Sequence, residues 1–330
     1  MQIKSLNPAE SASDLAAALP AFRTIRREIK PGLPEAGETW LRLYSDTAPF
    51  EWNAVLGAFA EGRAEAMGLA FFGRQLDENL DLAWLALEVP AEGRRQGADV
   101  ALFEAVAKRC VAAGCTRLAL QIYEELDPSS FAEKFGGRLV STSLDSAVDL
   151  NEIDGSAYES WAAPSEKNAG YRLVHWIDRC PDDLAGSFCK AMDAMHDQPM
   201  GGLDYEWVGN TVERLRIDEE FTRRHGVRRH VLAAVAADGQ VAGYNSVMTI
   251  PDESNTADIW DTGVVRAHRG HGLGLRIKAA AALWLLETRP STRWVVTANN
   301  ATNQWMIAVN RKLGYQVIST RHRYEFPIGG

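Results

Sequence analysis

The chain has 330 residues, a formal net charge of -9, 46% apolar and 24% charged residues. That length fits about two ordinary domains of globular composition, and no apolar run is long enough to offer a membrane span. The acidic balance argues against broad nucleic-acid binding, which needs clustered Lys and Arg to displace phosphate counterions, and a cationic small molecule is the better-matched ligand.

The first residues, Met1-Gln2-Ile3-Lys4-Ser5-Leu6-Asn7, show no apolar segment followed by a small-residue cleavage site, so a cytoplasmic protein is expected. Cys110, Cys115, Cys180 and Cys189 fit neither a metal-ligand spacing nor a disulfide framework, and they read as free thiols.

In chain order, residues 52–60 and 66–72 read as strands of a hairpin around Glu61-Gly62-Arg63. A later apolar run ends at Val89 and is followed by Arg94-Arg95-Gln96-Gly97-Ala98-Asp99. Leu102, Ala105, Val106 and Cys110 then recur at helical spacing, residues 116–122 read as a strand, and Glu133-Lys134-Phe135-Gly136-Gly137 closes the set.

Residues 151–170 are polar and read as the boundary between domains at 1–155 and 170–330. Beyond it, residues 192–206 are acidic and aromatic, with His196, Asp197, Asp204 and Glu206. The same order of elements then returns. Residues 231–236 and 241–248 flank Asp238-Gly239, a strong hairpin signal. Next come Asp261 to Val265, the turn Arg269-Gly270-His271-Gly272-Leu273-Gly274, a helix with Leu273, Ile277, Ala280 and Trp284 on one face, a strand at 292–297, and Arg311-Lys312-Leu313-Gly314-Tyr315.

Arg94 and Arg269 lie 175 positions apart, and Lys134 and Lys312 lie 178 apart. Two landmarks in one order at nearly one offset point to an internal duplication, each copy running hairpin, strand, helix, strand, helix, strand. A strand-helix-strand unit of this kind joins parallel strands by a right-handed crossover.

The turn at 269–274 carries the most chemistry. Its glycines let backbone N–H groups approach a ligand, and the following helix adds partial positive charge at its N-terminus, a combination suited to a pyrophosphate. Arg266 and Arg269 add charge. No Gly-Lys-Ser/Thr follows, so it is not a Walker loop, and the G-x-G-x-x-G order of a dinucleotide site is absent. A plain strand-to-helix connection with a surface Arg is the other reading of the same residues.

Arg269, Gly272 and Gly274, following a strand, resemble the Arg/Gln-x-x-Gly-x-Gly/Ala signature of the GNAT superfamily of N-acetyltransferases. The helix from Asn303 to Lys312-Leu313-Gly314-Tyr315 resembles that family's second landmark. The likeness covers nearly the whole chain in outline, and in layout it is similar to tandem GNAT proteins of actinobacterial type, a group that includes mycothiol synthase.

The resemblance implies an α/β (α+β) protein of two tandem GNAT folds. Each would be a mixed, mostly antiparallel sheet with flanking helices and a central parallel pair splayed around the acyl-CoA site. It further implies that Val264 and Val265 line the pantetheine arm, that Arg269, Gly270, His271, Gly272, Leu273 and Gly274 cradle the pyrophosphate, and that Asn299 and Asn303 line the cofactor groove or cap the next helix. The co-substrate is then acetyl-CoA without a metal, and the acceptor a primary amine of a small, cationic molecule. No nucleic-acid or membrane partner is implied, and the chain would be a monomer or homodimer. A non-catalytic acyl-CoA sensor and a protein or peptide N-acetyltransferase are the alternatives.

Two departures stand out. Asp99 replaces the last signature glycine in the first copy, and its carboxylate would repel a pyrophosphate, so that copy reads as degenerate. Asn310 stands where the family often has a Tyr that protonates the departing thiolate, so either Asn310 only hydrogen-bonds the sulfur or the acid comes from elsewhere. The attacking amine needs a base, for which Asp261 is the first candidate; a solvated or capping carboxylate is the other reading of that residue. His196, Asp197, Asp204 and Glu206 fall where the family places the loop over the acceptor, His196 as a proton shuttle and the carboxylates as partners of a cation.

Overall fold

The structure is a computed structural model and describes all residues except 35, 36, 48, 199, 200, 251–254 and 330. The chain forms two compact units. Unit one comprises Met1–Ser143, a short segment ending at Glu206 and the C-terminal stretch from Ser319; unit two holds the remainder from Leu144 to Ile318. The units are therefore not the contiguous stretches 1–155 and 170–330.

Unit one contains β1 (Gln2–Leu6), α1 (Ala12–Ile29), α2 (Glu38–Ser45), β2 (Glu51–Phe59), β3 (Gly68–Gln75), β4 (Leu82–Glu88), α3 (Ala91–Arg95), α4 (Ala98–Ala112), β5 (Arg117–Tyr123), α5 (Pro128–Phe135) and the first half of β6 (Arg138–Asp149). Unit two continues with α6 (Gly155–Ala162), β7 (Arg172–Ile177), α7 (Asp182–Met192), α8 (Val212–Arg224), β8 (Arg228–Val235), β9 (Val241–Thr249), β10 (Thr256–Val264), α9 (Leu273–Thr288), β11 (Trp294–Asn300), α10 (Gln304–Lys312) and the start of β12 (Gln316–Pro327).

Each copy ends by giving its last strand away. The far half of β12 pairs antiparallel with β5 in unit one, Arg321 opposite Tyr123, while β6 runs on beside β11 in unit two. Strand pairing at such sequence distance leaves no local signal, which is why a linear boundary was expected.

The repeated core matches the expected order. In unit one β2, β3 and β4 pair antiparallel and β4 pairs parallel with β5; in unit two β8, β9 and β10 do the same and β10 pairs parallel with β11. Gly239, at φ 83°, turns the β8–β9 hairpin, and every residue of β9 is buried. Helix α9 sits in this core on two faces. Leu273, Ile277 and Ala281 meet Leu232, Ala234 and Ala242, while Ala279, Ala282 and Leu285 pack with Val247, Ala257 and Val295. Fully burying each of the larger aliphatic side chains contributes roughly 1.5–3 kcal/mol, which anchors the helix start at a fixed place over the sheet.

The polar stretch expected as a linker is instead part of unit two. It contains α6, whose Tyr158 is buried and donates its hydroxyl to the Leu313 carbonyl at 2.5 Å. Among the described residues no helix is long and apolar enough to cross a membrane.

Candidate active site

Strands β10 and β11 pair only at Thr256–Trp294, Ala257–Val295 and Asp258–Val296, although β10 runs to Val264 and β11 to Asn300. Among the described residues the facing edges beyond that point have no ladder partner. Alternate residues along each edge turn their N–H and C=O into the gap, and these groups need a partner outside the sheet, so the gap suits an extended polar arm. Val264 keeps its β9 partner, Gly243, and Val265 donates to the Ala242 carbonyl at 2.9 Å.

At the mouth of this gap the chain turns through Gly270 (φ 84°) and Gly272 (φ 75°) into α9. Gly272 is the N-cap in left-handed conformation, with no side chain capping the helix. The first-turn amides of α9 are thus left for an outside acceptor, and the helix dipole makes an anion the favoured one. A Cβ at Gly272 would lie 3.6 Å from the Asn168 amide nitrogen.

Residues from the expected linker brace this turn. Asn168 donates to the His271 carbonyl at 3.2 Å, and buried Arg276 donates to the carbonyls of Ala162 (3.1 Å), Asn168 (2.8 Å) and Tyr171 (3.1 Å). The Tyr171 hydroxyl and His268 Nδ1 are 3.0 Å apart, and His271 Nδ1 lies 3.2 Å from the carbonyls of His268 and Arg269. No periodicity marks Asn168 or Arg276 as site residues; an arginine on an otherwise apolar helix face is the one available hint.

Arg269 donates through Nε to the Val264 carbonyl at 3.0 Å, tying turn to strand. Its Nη2 and that of Arg266 both bind Asp197, at 2.7 and 3.0 Å, and these two guanidinium groups hold the Asp197 carboxyl below the ordinary range. Asp197 therefore joins the glycine turn.

Asp261 sits at a register shift in β10, opposite Ser246, and is half-buried. Its carboxylate has no hydrogen-bond or ion-pair partner among the described residues. Burial pushes its pKa up to about 6, against the opposing field of Arg229 and with a small push from Asp218. Such a carboxylate is a stronger base than a solvated one and is still ionised at neutral pH.

Residues 164–315 match the model of the acetyltransferase (GNAT) family. This stretch is a GNAT domain. No curated relative matches the chain in sequence. Among solved structures, a tandem GNAT protein from the clavulanic acid biosynthesis pathway, determined without acetyl-CoA, is similar across 100% of this chain and 99% of its own. Its TM-score is 0.82 at 23% identity. A GCN5-related N-acetyltransferase from Sphaerobacter thermophilus is similar over 100% and 96% of the two chains, with a TM-score of 0.66 at 17% identity. A glucosamine N-acetyltransferase region of a fungal multi-domain β-N-acetylglucosaminidase gives 0.66 at 13% identity, over 98% of this chain and 38% of that one. These likenesses establish the tandem GNAT fold.

Within the GNAT domain the remaining expected residues separate. Asn310 is buried; its oxygen accepts from Lys278 Nζ at 2.7 Å and its nitrogen donates to Asn299 Oδ1 at 2.6 Å. Asn303 caps α10, accepting from the Met306 amide at 3.2 Å. His196 stacks on Trp207 with ring centroids 5.0 Å apart and lies 3.6 Å from Asp193 Oδ1, which also accepts from the backbone and side-chain amides of Asn210. The buried Tyr244 hydroxyl has no partner among the described residues, and burial together with the Asp261 charge holds it well above its ordinary range.

Asp204 and Glu206 belong to unit one instead. Arg117 donates to the Asp204 carbonyl at 3.1 Å, and the Glu206 backbone exchanges hydrogen bonds with the Asn79 side chain. Positions 199 and 200 of the same expected acceptor loop lie outside the described residues. Among those that are described, no group of three or more His, Cys, Asp or Glu is arranged to hold a metal ion.

Unit one repeats the turn with different side chains. Gly97 (φ 75°) caps α4, and Arg94 donates to the Val89 carbonyl at 2.5 Å as Arg269 does to Val264. Asp99, however, stands in the first turn of α4 with Oδ1 buried and without a hydrogen-bond partner among the described residues. A carboxylate there already uses the helix field that a phosphate would need.

Proposed function

We propose that the GNAT domain transfers an acetyl group from acetyl-CoA to a primary amine on a small, cationic molecule by direct attack, in unit two alone. The uncapped start of α9, opening beside the unpaired ends of β10 and β11, is the observation that carries this reading. The backbone amides from Leu273 onward, with Arg269 and Arg266, hold the diphosphate, and the free edge of β10 from Ile259 to Val264 receives the amide-bearing arm. Acetyl-CoA supplies the activated acyl carbon.

Asp261 takes a proton from the acceptor ammonium, directly or through a water, so that the free amine attacks. A C–N bond forms, the C–S bond breaks, and the thiolate leaves with a proton from solvent or the acceptor. A positioned base of this kind contributes roughly 10² to 10⁴ in rate. Asp193, with His196 and Trp207 beside it, offers a cationic acceptor a carboxylate and an aromatic wall.

The test is release of free thiol from acetyl-CoA in the presence of a panel of amines. Amine-dependent release that Asp261→Asn abolishes supports the reading, and binding of acetyl-CoA without release from any amine contradicts it. A non-catalytic acyl-CoA sensor is the second reading. The buried amide at Asn310, where a hydroxyl acid would stand, is the observation in its favour.

A further inference from the structure

Lys278 lies on α9, 3% exposed, with no carboxylate partner among the described residues. Its ammonium donates to Asn310 Oδ1 at 2.7 Å and sits 4.8 Å from the centre of the Tyr315 ring. Burial lowers its pKa to about 7. A buried lysine without a counter-ion is costly, and something must retain it.

The fold itself does not require it. By the 175-residue offset that relates Arg94 to Arg269, Lys278 corresponds to Phe103; by the 178-residue offset of the closing landmark, Asn310 corresponds to Ala132. Phe103 and Ala132 both lie in the apolar core of unit one. The same architecture therefore closes this spot with apolar groups where no chemistry is needed.

In its protonated form, which prevails below about pH 7, Lys278 has three donors and no acceptor, and that form dictates which end of the Asn310 amide faces it. Asn310 must present its oxygen to Lys278 and its nitrogen to Asn299, at 2.6 Å. Asn299 must in turn accept through Oδ1, and its own side-chain N–H groups, which have no hydrogen-bond partner among the described residues, are the free end of the chain. Asn299 lies on β11 beyond Val296, where pairing with β10 has stopped. Without the lysine either amide can turn over, and the free end alternates between donor and acceptor.

We infer that Lys278 is a positioning residue: through Asn310 it locks the Asn299 amide so that a hydrogen-bond donor is presented at the parted strands, for an acceptor oxygen on the acyl-CoA arm. The inference rests on the reaction proposed above and adds to it the residue that orients a donor at the site. It also gives the substitution at position 310 a reason, since a buried amide transmits orientation in a way a phenol cannot.

The test combines a structural and a kinetic readout on the full chain. In the 15N-labelled protein the side-chain amide signals of Asn299 and Asn310 should each form one exchange-protected pair, assigned with Asn299→Ala and Asn310→Ala. Lys278→Met should broaden or collapse both pairs. In steady-state assays Lys278→Met should lower kcat about tenfold or more, leaving KM for acetyl-CoA within about twofold, and Asn299→Ala should add little to it, because residues acting as one unit are non-additive.

Should Lys278→Met fold poorly, the double variant Lys278→Phe with Asn310→Ala copies the packing of unit one and should fold with the same loss of kcat. Unchanged amide signals in either variant would overturn the inference, as would a wild-type kcat or independent, additive losses. Absence of turnover in the wild type would instead contradict the proposed reaction, while the amide signals would still decide whether Lys278 sets the orientation.

Discussion

Arg269 and Asp197 form a 2.7 Å ion pair that ties the glycine turn before α9 to the residues following α7. Unit one repeats the relationship with other residues: Glu28, near the end of α1, pairs with Arg94 at 3.4 Å. A carboxylate that shares its arginines with an incoming diphosphate competes with it, and both arginines are well exposed, so the competition is modest and screened by salt. Asp197→Asn is expected to tighten acetyl-CoA binding a few-fold at low ionic strength, with the gain fading in high salt. Calorimetric titration at two salt concentrations measures both.

The raised pKa of Asp261 predicts the acid limb of the rate profile. A base must be unprotonated, so kcat/KM should show an acid limb with a pKa of about 6, the value in the free protein. Asp261→Asn should remove that limb and lower kcat by roughly 10² or more while leaving acetyl-CoA affinity unchanged. A profile of kcat/KM against pH for both proteins, with kcat alongside, is the measurement.

Lys278 predicts a pH dependence of stability of the opposite sense to a paired lysine. Its folded pKa, about 7, lies below the unfolded value near 10.5, so the unfolded chain binds the extra proton between those values. Its contribution is fully present above the unfolded pKa and is lost as pH falls through about 7. Relative to wild type, Lys278→Met should therefore gain stability below pH 7 and show a flatter curve up to about pH 10. Denaturant melts across that range test it.

Much of this site can be read directly from the chain. Gly270, Gly272 and Gly274 follow an apolar strand, and only a few backbone arrangements accommodate such spacing, so turn, helix and parallel pair all follow locally. Asp261 was marked by its distance from Val264. Other features depend on contacts between residues far apart. The exchange of β6 and β12 leaves no periodic trace, and residues 151–170 look like a linker because the partners of Tyr158 and Ala162, Leu313 and Arg276, lie more than a hundred positions away. Lys278 reads as one more solvated helical lysine until its neighbours are seen. Asp204 and Glu206 share a segment with Asp197 but fold onto unit one, because Tyr205 between them bonds Gln75 and packs against Trp84.

The two glycine turns give the most direct discrimination between the units. Gly272 adopts a left-handed φ of 75° that costs a non-glycine residue roughly 1–2 kcal/mol, and a larger side chain there also blocks the open amides of α9. Asp99→Gly, in contrast, alters a turn that binds nothing in this account. Calorimetric titration with acetyl-CoA should give one site per chain for the wild type and for Asp99→Gly, and no detectable binding for Gly272→Leu. Two sites in the wild type, or tight binding that survives Gly272→Leu, would contradict the placement of the acyl-CoA site in unit two.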